Sequence, residues 1–290
     1  MKPSPFDYYR ATDVDDAVRA LAEAGDAGKA IAGGQSLLAL MNFRLARPEL
    51  LVDLNPLTDL DYVEPDGSGG LRIGAMTRQR TLERSAAVRT ACPVMFEAMP
   101  HVAHAAIRNR GTIGGSLAHA DASSELCAIS LAVDARIRAR GSSGDREIAA
   151  ADFFDGPFTS VLGVDEVLTE IVIPPARPRT GSAFAEVSRR RGDFALAGVA
   201  AVVSLADEGT VAQVRLAHMS VGPTAVRSPR AEEALTGTRA DDDSIDRAVG
   251  LLGEDLTPTD DLHASSAFRL HLARVLTRRA LHLAVERAQR

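Results

Sequence analysis

Two short clusters of glycine dominate what this chain can become. The first is Ala32-Gly33-Gly34-Gln35-Ser36, and the second is Arg108-Asn109-Arg110-Gly111-Thr112-Ile113-Gly114-Gly115-Ser116. Glycine lets a backbone turn sharply and approach a ligand closely. Each cluster carries hydroxyl side chains, Ser36 in one and Thr112 and Ser116 in the other, and each leads toward an apolar helical pattern. A glycine loop that opens onto a helix gathers backbone N–H groups at one point and favours an anion, phosphate above all. Taken singly, a glycine pair is an ordinary turn. Taken together, the two loops are suited to hold the two phosphates of a pyrophosphate between them.

The familiar nucleotide motifs are absent. No Gly-x-Gly-x-x-Gly follows a strand, and no Gly-x-x-x-x-Gly-Lys-Ser/Thr occurs, so neither a Rossmann site nor a P-loop is written here. Gly-x-Ser-x-Gly and His-Glu-x-x-His are missing too. The two cysteines, Cys92 and Cys127, stand far apart and suggest no disulfide framework, zinc site or iron–sulfur site. His101, His104 and His119 lack the carboxylate pattern of a metal centre. With a net charge of -6, the chain has no basic block longer than Arg189-Arg190-Arg191, which argues against nucleic-acid binding. No apolar run approaches the roughly 18 residues of a membrane span, and the N-terminus has no apolar h-region; a cytoplasmic protein is expected.

In chain order, residues 13–24 predict an amphipathic helix capped by Thr12 and stopped by Gly25. A strand over 29–32 leads into the first glycine loop. A helix over 37–45, capped by Ser36, and a strand over 50–54 complete a small α/β unit. Strands are expected at 60–63 and 71–73 around an Asp-Gly-Ser-Gly-Gly turn, then a helix from about 81 and another over 93–104. The second loop then feeds a helix at 126–133. Strands follow near 135–139 and 147–148, with residues 141–144 as a hairpin tip, and another covers 166–174. Residues 174–181 read as a linker. Beyond it come long antiparallel strands at 184–187, 195–205 and 211–221, then helices near 230–235, 244–252 and 267–288. Strands followed by helices indicate an α+β domain.

The two loops and their flanks carry a resemblance. Residues 32–37 followed by Met41-Asn42-Phe43-Arg44, and residues 107–116, are similar to the two FAD loops in the flavin subunit of molybdenum hydroxylases. That family includes the medium subunit of aerobic carbon monoxide dehydrogenase, nicotine-type dehydrogenases and the flavin domain of xanthine dehydrogenase. The likeness extends over nearly the whole chain, through Gly156-Pro157-Phe158-Thr159, the 166–174 strand and Arg190-Arg191-Gly192-Asp193-Phe194-Ala195.

The resemblance implies an α+β protein. A two-lobed FAD-binding domain of vanillyl-alcohol-oxidase (PCMH) type would span 1–176, with lobes of about 1–56 and 57–176, and a smaller C-terminal domain would span 180–290. It implies cofactor contacts from Ala30, Ile31, Ala32, Gly33, Gly34, Gln35, Ser36 and Leu37, from Val102 and Ala103, from Thr112, Gly114, Gly115 and Ser116, and from Glu125 and Leu168. Asp121 is an alternative acidic contact, and Phe194 matches an aromatic near the flavin in some members. Arg108 and Arg110 either clamp phosphate or anchor the loop. Gln35 stands where some members have His, which leans toward the heterocycle-oxidising branch. The lysine that relatives often carry in the segment 185–186 is absent here.

No catalytic side chain is required of such a subunit, because the redox chemistry belongs to FAD. The implied partners are a small subunit with [2Fe–2S] clusters and a large molybdenum-cofactor subunit, arranged as a dimer of heterotrimers. NAD, oxygen or a quinone-type molecule would be the acceptor. The alternative is a stand-alone FAD-dependent oxidoreductase with its own substrate site.

Overall fold

The computed structural model describes residues 2–290. Its first unit is a parallel sheet in which β3 (Leu50–Asp53) lies between β1 (Asp7–Arg10) and β2 (Gly28–Ile31). Strand β1 was not expected, because its four residues are all exposed and show no apolar alternation. Helix α1 (Val14–Ala24) covers the sheet with Ala17, Val18 and Leu21, and its last turn ends at Gly25 with φ 55°. Its cap is Asp13, whose carboxylate accepts from the Asp16 N–H at 2.8 Å, rather than Thr12. Helix α2 (Leu37–Asn42) is shorter than the apolar pattern suggests.

A five-stranded antiparallel sheet follows, in the order β4-β5-β10-β6-β7. Its strands are β4 (Val63–Pro65), β5 (Leu71–Gly74), β6 (Arg136–Gly141), β7 (Gly144–Ala149) and β10 (Val167–Ile173), while β8 (Phe154–Gly156) and β9 (Thr159–Ser160) form a separate small hairpin. The strand expected at 60–63 is displaced. Residues Thr58–Leu60 form a 3-10 turn, which buries Leu60 beneath the first sheet, and pairing starts only at Val63. The 141–144 tip is as expected.

The connection from β5 to β6 is helical: α3 (Gln79–Arg84), α4 (Ala86–Ala91), α5 (Pro93–Ala98), α6 (Ala105–Arg108), α7 (Ile113–His119) and α8 (Glu125–Ala132). The helix expected over 93–104 breaks after Ala98, and Ala103 adopts a left-handed φ of 43° that no helix can contain. A second correction concerns the glycine loop. It does not lead directly to the helix at α8; Gly114 and Gly115 are themselves in the first turn of α7. Two adjacent glycines conceal a helix from a reading based on propensity.

The remaining sheet is antiparallel, β11 (Thr180–Ser188), β12 (Ala195–Leu205), β13 (Val211–Met219) and β14 (Val226–Arg227). Every residue of β12 is buried. On one face Ala197, Val199, Ala201 and Val203 join Ala273, Leu276, Ala280 and Leu281 of α12 (Ser266–Gln289). On the other, Ala200 and Val202, with Ala217 and Met219, meet α5 and α8 in the core of the first domain. Helices α9 (Pro229–Leu235), α10 (Asp242–Gly250) and α11 (Leu252–Asp255) complete the outer layer. The C-terminal unit is thus bound to the first by an apolar seam.

Candidate cofactor cavity

Loop 1 leaves β2 at residue 32 and enters α2 at Leu37. Its turn needs Gly34, whose φ is 72°. Gly33 is required for a different reason. A methyl group there would collide with the carbonyl oxygen of Arg110 and stand 2.8 Å from its carbonyl carbon and 2.9 Å from the Gly111 Cα. The two loops, some eighty residues apart in the chain, therefore touch backbone to backbone. Gly114 has the same tightness on the other side of loop 2, where a Cβ would lie 2.7 Å from the Ala75 carbonyl oxygen.

Loop 2 is held by its own side chains. Thr112 Oγ1 accepts from the Gly115 N–H at 3.0 Å and caps α7. Gln79 Nε2 donates to Ser116 Oγ at 2.9 Å. Arg108 is buried; it donates to both Glu83 carboxylate oxygens at 3.0 Å and to the Val102 and Ala103 carbonyls at 2.8 and 3.0 Å. It anchors the loop, and its charge is already paired. Arg110 is exposed, outside the cavity. In loop 1 the Ser36 side chain makes no cap hydrogen bond, contrary to expectation. Among the described residues no protein acceptor takes the N–H groups of Gly34, Gln35 or Ser36. Unclaimed donors beside a capped helix N-terminus form the kind of surface that receives an anion.

Beside the loops, and reaching the turn between β11 and β12, lies a cavity of about 700 Å³. That volume is within the usual range for cofactor sites, roughly 300–1,000 Å³. All sixteen residues expected at the cofactor line it: the whole of 30–37, Val102, Ala103, Thr112, Gly114, Gly115, Ser116, Glu125 and Leu168. Asp121 and Phe194 line it as well. The walls also include Met76, Gln79, Ile107, His119, Phe158, Leu162, Gly163, Val164, Glu166 and Val167. Sequence reading missed Gln79 and Met76 because single residues in ordinary helix and loop contexts carry no signal. The C-terminal domain contributes only Gly192, Asp193 and Phe194.

Glu125 is the cavity's most perturbed group. Burial pushes its carboxyl up to about 8, and the negative charges of Glu186 and Asp121 act in the same direction. The two thiols are inert by comparison; burial pushes both Cys92 and Cys127 up to about 12.

The unclaimed donors of loop 1 suit a cofactor with an anionic group. Such a group fits a cavity lined by the two glycine loops, by Gly28, Ala30 and Ile31 of β2 and by Val102, Ala103 and Phe194. The residues present fit FAD.

Comparison with known proteins gives a consistent answer. Residues 4–176 match the family model described as the FAD binding domain in molybdopterin dehydrogenase, and residues 182–284 match the CO dehydrogenase flavoprotein C-terminal domain. The chain is 39% identical to the 6-hydroxypseudooxynicotine dehydrogenase complex subunit alpha of Paenarthrobacter nicotinovorans, over 100% of this chain and 97% of the relative. It is 36% identical to the caffeine dehydrogenase subunit beta of a Pseudomonas species, over 99% and 97% of the two chains. A solved structure of carbon monoxide dehydrogenase from Hydrogenophaga pseudoflava, in a form lacking the Mo-pyranopterin moiety of its molybdenum cofactor, matches with a TM-score of 0.96 at 36% identity, covering 99% of each chain.

Proposed function

The chain belongs to the family of FAD-binding subunits of molybdenum-dependent dehydrogenases, and on that premise we propose how its cavity serves an oxidoreductase complex. The cavity between the two glycine loops holds FAD. When bound, FAD supplies the redox chemistry, taking electrons that arrive from iron–sulfur clusters of a partner subunit and passing them to an external acceptor. The observation that carries this reading is the contact of Gly33 with the Arg110–Gly111 backbone, which brings two phosphate-type loops to one point.

The chain's own residues divide the work. The unclaimed N–H groups of loop 1 hold the pyrophosphate, and the Thr112-capped start of α7 frames them, its N–H groups from Ile113 to Ser116 being taken by Thr77, Ala75 and Thr112. Val102, Ala103 and Leu168 provide an apolar bed for the ring system, Glu125 a polar contact, and Phe158 and Phe194 an exposed aromatic rim. Residues 1–176 form the FAD-binding domain, with lobes of about 1–56 and 57–176, and residues 180–290 form a smaller domain that closes its open side.

The partners are a small [2Fe–2S] subunit and a large molybdenum-cofactor subunit that selects the substrate, a nitrogen heterocycle being favoured by Gln35 and by relatives named for 6-hydroxypseudooxynicotine and caffeine. The complex is a dimer of heterotrimers in the cytoplasm, and NAD, oxygen or a quinone-type molecule is its acceptor. Among the described residues no helix is long and apolar enough to cross a membrane.

The test is the absorption spectrum of the purified chain, with the released cofactor identified by chromatography. Flavin bands and free FAD are expected. A colourless protein that takes up no added FAD, either alone or with its partner subunits, overturns the reading.

A further inference from the structure

The two glycine loops meet at Gly33 and Arg110, and one side chain that belongs to neither loop ties them together there. Arg78 stands immediately before α3. Its backbone forms an isolated antiparallel bridge with Thr112, and the next N–H, that of Gln79, donates to the Gly111 carbonyl at 2.9 Å. Its main chain is therefore fixed to loop 2. Its guanidinium forks. Nη1 donates to the Arg110 carbonyl at 2.6 Å, the same oxygen that a methyl group on Gly33 would strike. Nη2 donates to Asn55 Oδ1 at 2.7 Å. The other half of that amide, Nδ2, donates to the Ala32 carbonyl at 2.9 Å, where loop 1 begins. Asp53 sets the orientation of Asn55, since its Oδ1 accepts from the Asn55 backbone N–H at 3.0 Å and from the same amide nitrogen. A chain of hydrogen bonds thus runs from Ala32 through Asn55 and Arg78 to Arg110.

Packing alone does not hold loop 1. A second hollow, of about 300 Å³, is lined by Tyr8, Asn55, Arg78 and Arg110. Ile31, Ala32, Gly33 and Gly34 border both this hollow and the cofactor cavity, so loop 1 is a thin wall between two open spaces. The bonds from Arg78 and Asn55 back that wall. Both acceptors of Arg78 are neutral oxygens, and among the described residues no carboxylate pairs with it. Burial and the charge of Arg110 push its guanidinium down, while Asp61 and Asp53 act the other way without pairing. A cation left unpaired behind loop 1 favours an anion in front of it.

We propose that Arg78 is a positioning residue of the cofactor site: working through Asn55, its guanidinium clamps the two glycine loops at the separation at which loop 1 presents its free N–H groups to a phosphate. The use for a pyrophosphate rests on the FAD reading, while the clamp itself does not. A planar fork can reach two acceptors in fixed directions at once, which a lysine ammonium does not reproduce.

The clamp is tested first without cofactor, by hydrogen exchange of the FAD-free chain. The Leu38 N–H, bonded to Gly34, and the Gly114 N–H, bonded to Ala75, report on the two loops. Arg78→Ala should speed exchange in peptides covering both, although it lies in neither. Fluorescence titration with FAD, on the chain alone and with its partner subunits, tests the purpose. Arg78→Ala should weaken binding roughly 10- to 100-fold, as expected when hydrogen bonds from a charged donor are lost. Asn55→Ala should weaken it as well, and the double variant should bind no more weakly than Arg78→Ala, because the two residues act as one link. Arg78→Lys keeps the charge without the fork and should recover only part of the affinity.

The proposal is overturned if Arg78→Ala leaves exchange in either loop unchanged, if the losses from Arg78→Ala and Asn55→Ala add, or if Arg78→Lys binds FAD as the wild type does. Should Arg78→Ala fail to fold, Asn55→Ala and Arg78→Lys carry both measurements. The expected change in exchange, in a chain that never takes up FAD, would refute the FAD reading alone.

Discussion

Small residues crowd two parts of this molecule for opposite reasons. At the glycine loops, smallness brings two backbones together and leaves the space beside them open; the Gly33 methylene already rests on Arg110 and Gly111, and the cavity begins where that contact ends. In β12, the run Ala195-Leu196-Ala197-Gly198-Val199-Ala200-Ala201 lets α12 press on one face and α5 and α8 on the other, and no space remains. The first region is specified by backbone contact and the second by side-chain packing. Binding is concentrated in one and cohesion in the other, so substitutions should separate the two properties.

The largest effect is expected in the packed region. Leu281 of α12 is 1% exposed against β12, and Leu281→Ala should cost about 2–5 kcal/mol of folding stability, measured by denaturant unfolding. FAD affinity below the transition should be unchanged; a parallel fall in affinity would mean that the two regions are not separable. Gly33→Ala makes the reverse test. Overpacking against backbone costs about 1–3 kcal/mol, and if the loops must part, FAD affinity should fall roughly 10- to 100-fold. Fluorescence titration of the FAD-free chain would measure it, and an unaltered affinity would show that the meeting of the loops is not what binds the cofactor. Thr112→Ala should be mildest. It removes one cap bond at the start of α7, worth about 1 kcal/mol, with affinity and stability both slightly reduced. An effect on stability alone would separate the cap from the binding surface.

Much of the site is legible in the chain because its parts are local. A glycine pair, a hydroxyl and a following helix lie within a few residues, and two such clusters suffice to suggest a pyrophosphate. The same locality explains the errors. Gly114 and Gly115 read as loop because glycine is a poor helix former, yet Thr112 and the packing of Gly114 on Ala75 start α7 there. Strand β1 has no apolar alternation of its own and exists because β3 offers it a parallel partner. Arg108 looked equally suited to phosphate and to anchoring, and the choice fell to Glu83, which is distant in the sequence and meets it in space.

The amino-acid sequence by itself determined the two loops and the order of strands and helices in the C-terminal domain, since each depends on residue types at short spacing. Tertiary structure alone decided which charges are paired and which are exposed to the cavity. Glu125 and Glu186 are ordinary acidic residues in the sequence, sixty-one positions apart. Each is buried only in the fold, Glu125 at the start of α8 and Glu186 where β11 packs against the first domain beside His101, and the cost of burying charge depends on everything that surrounds it in space.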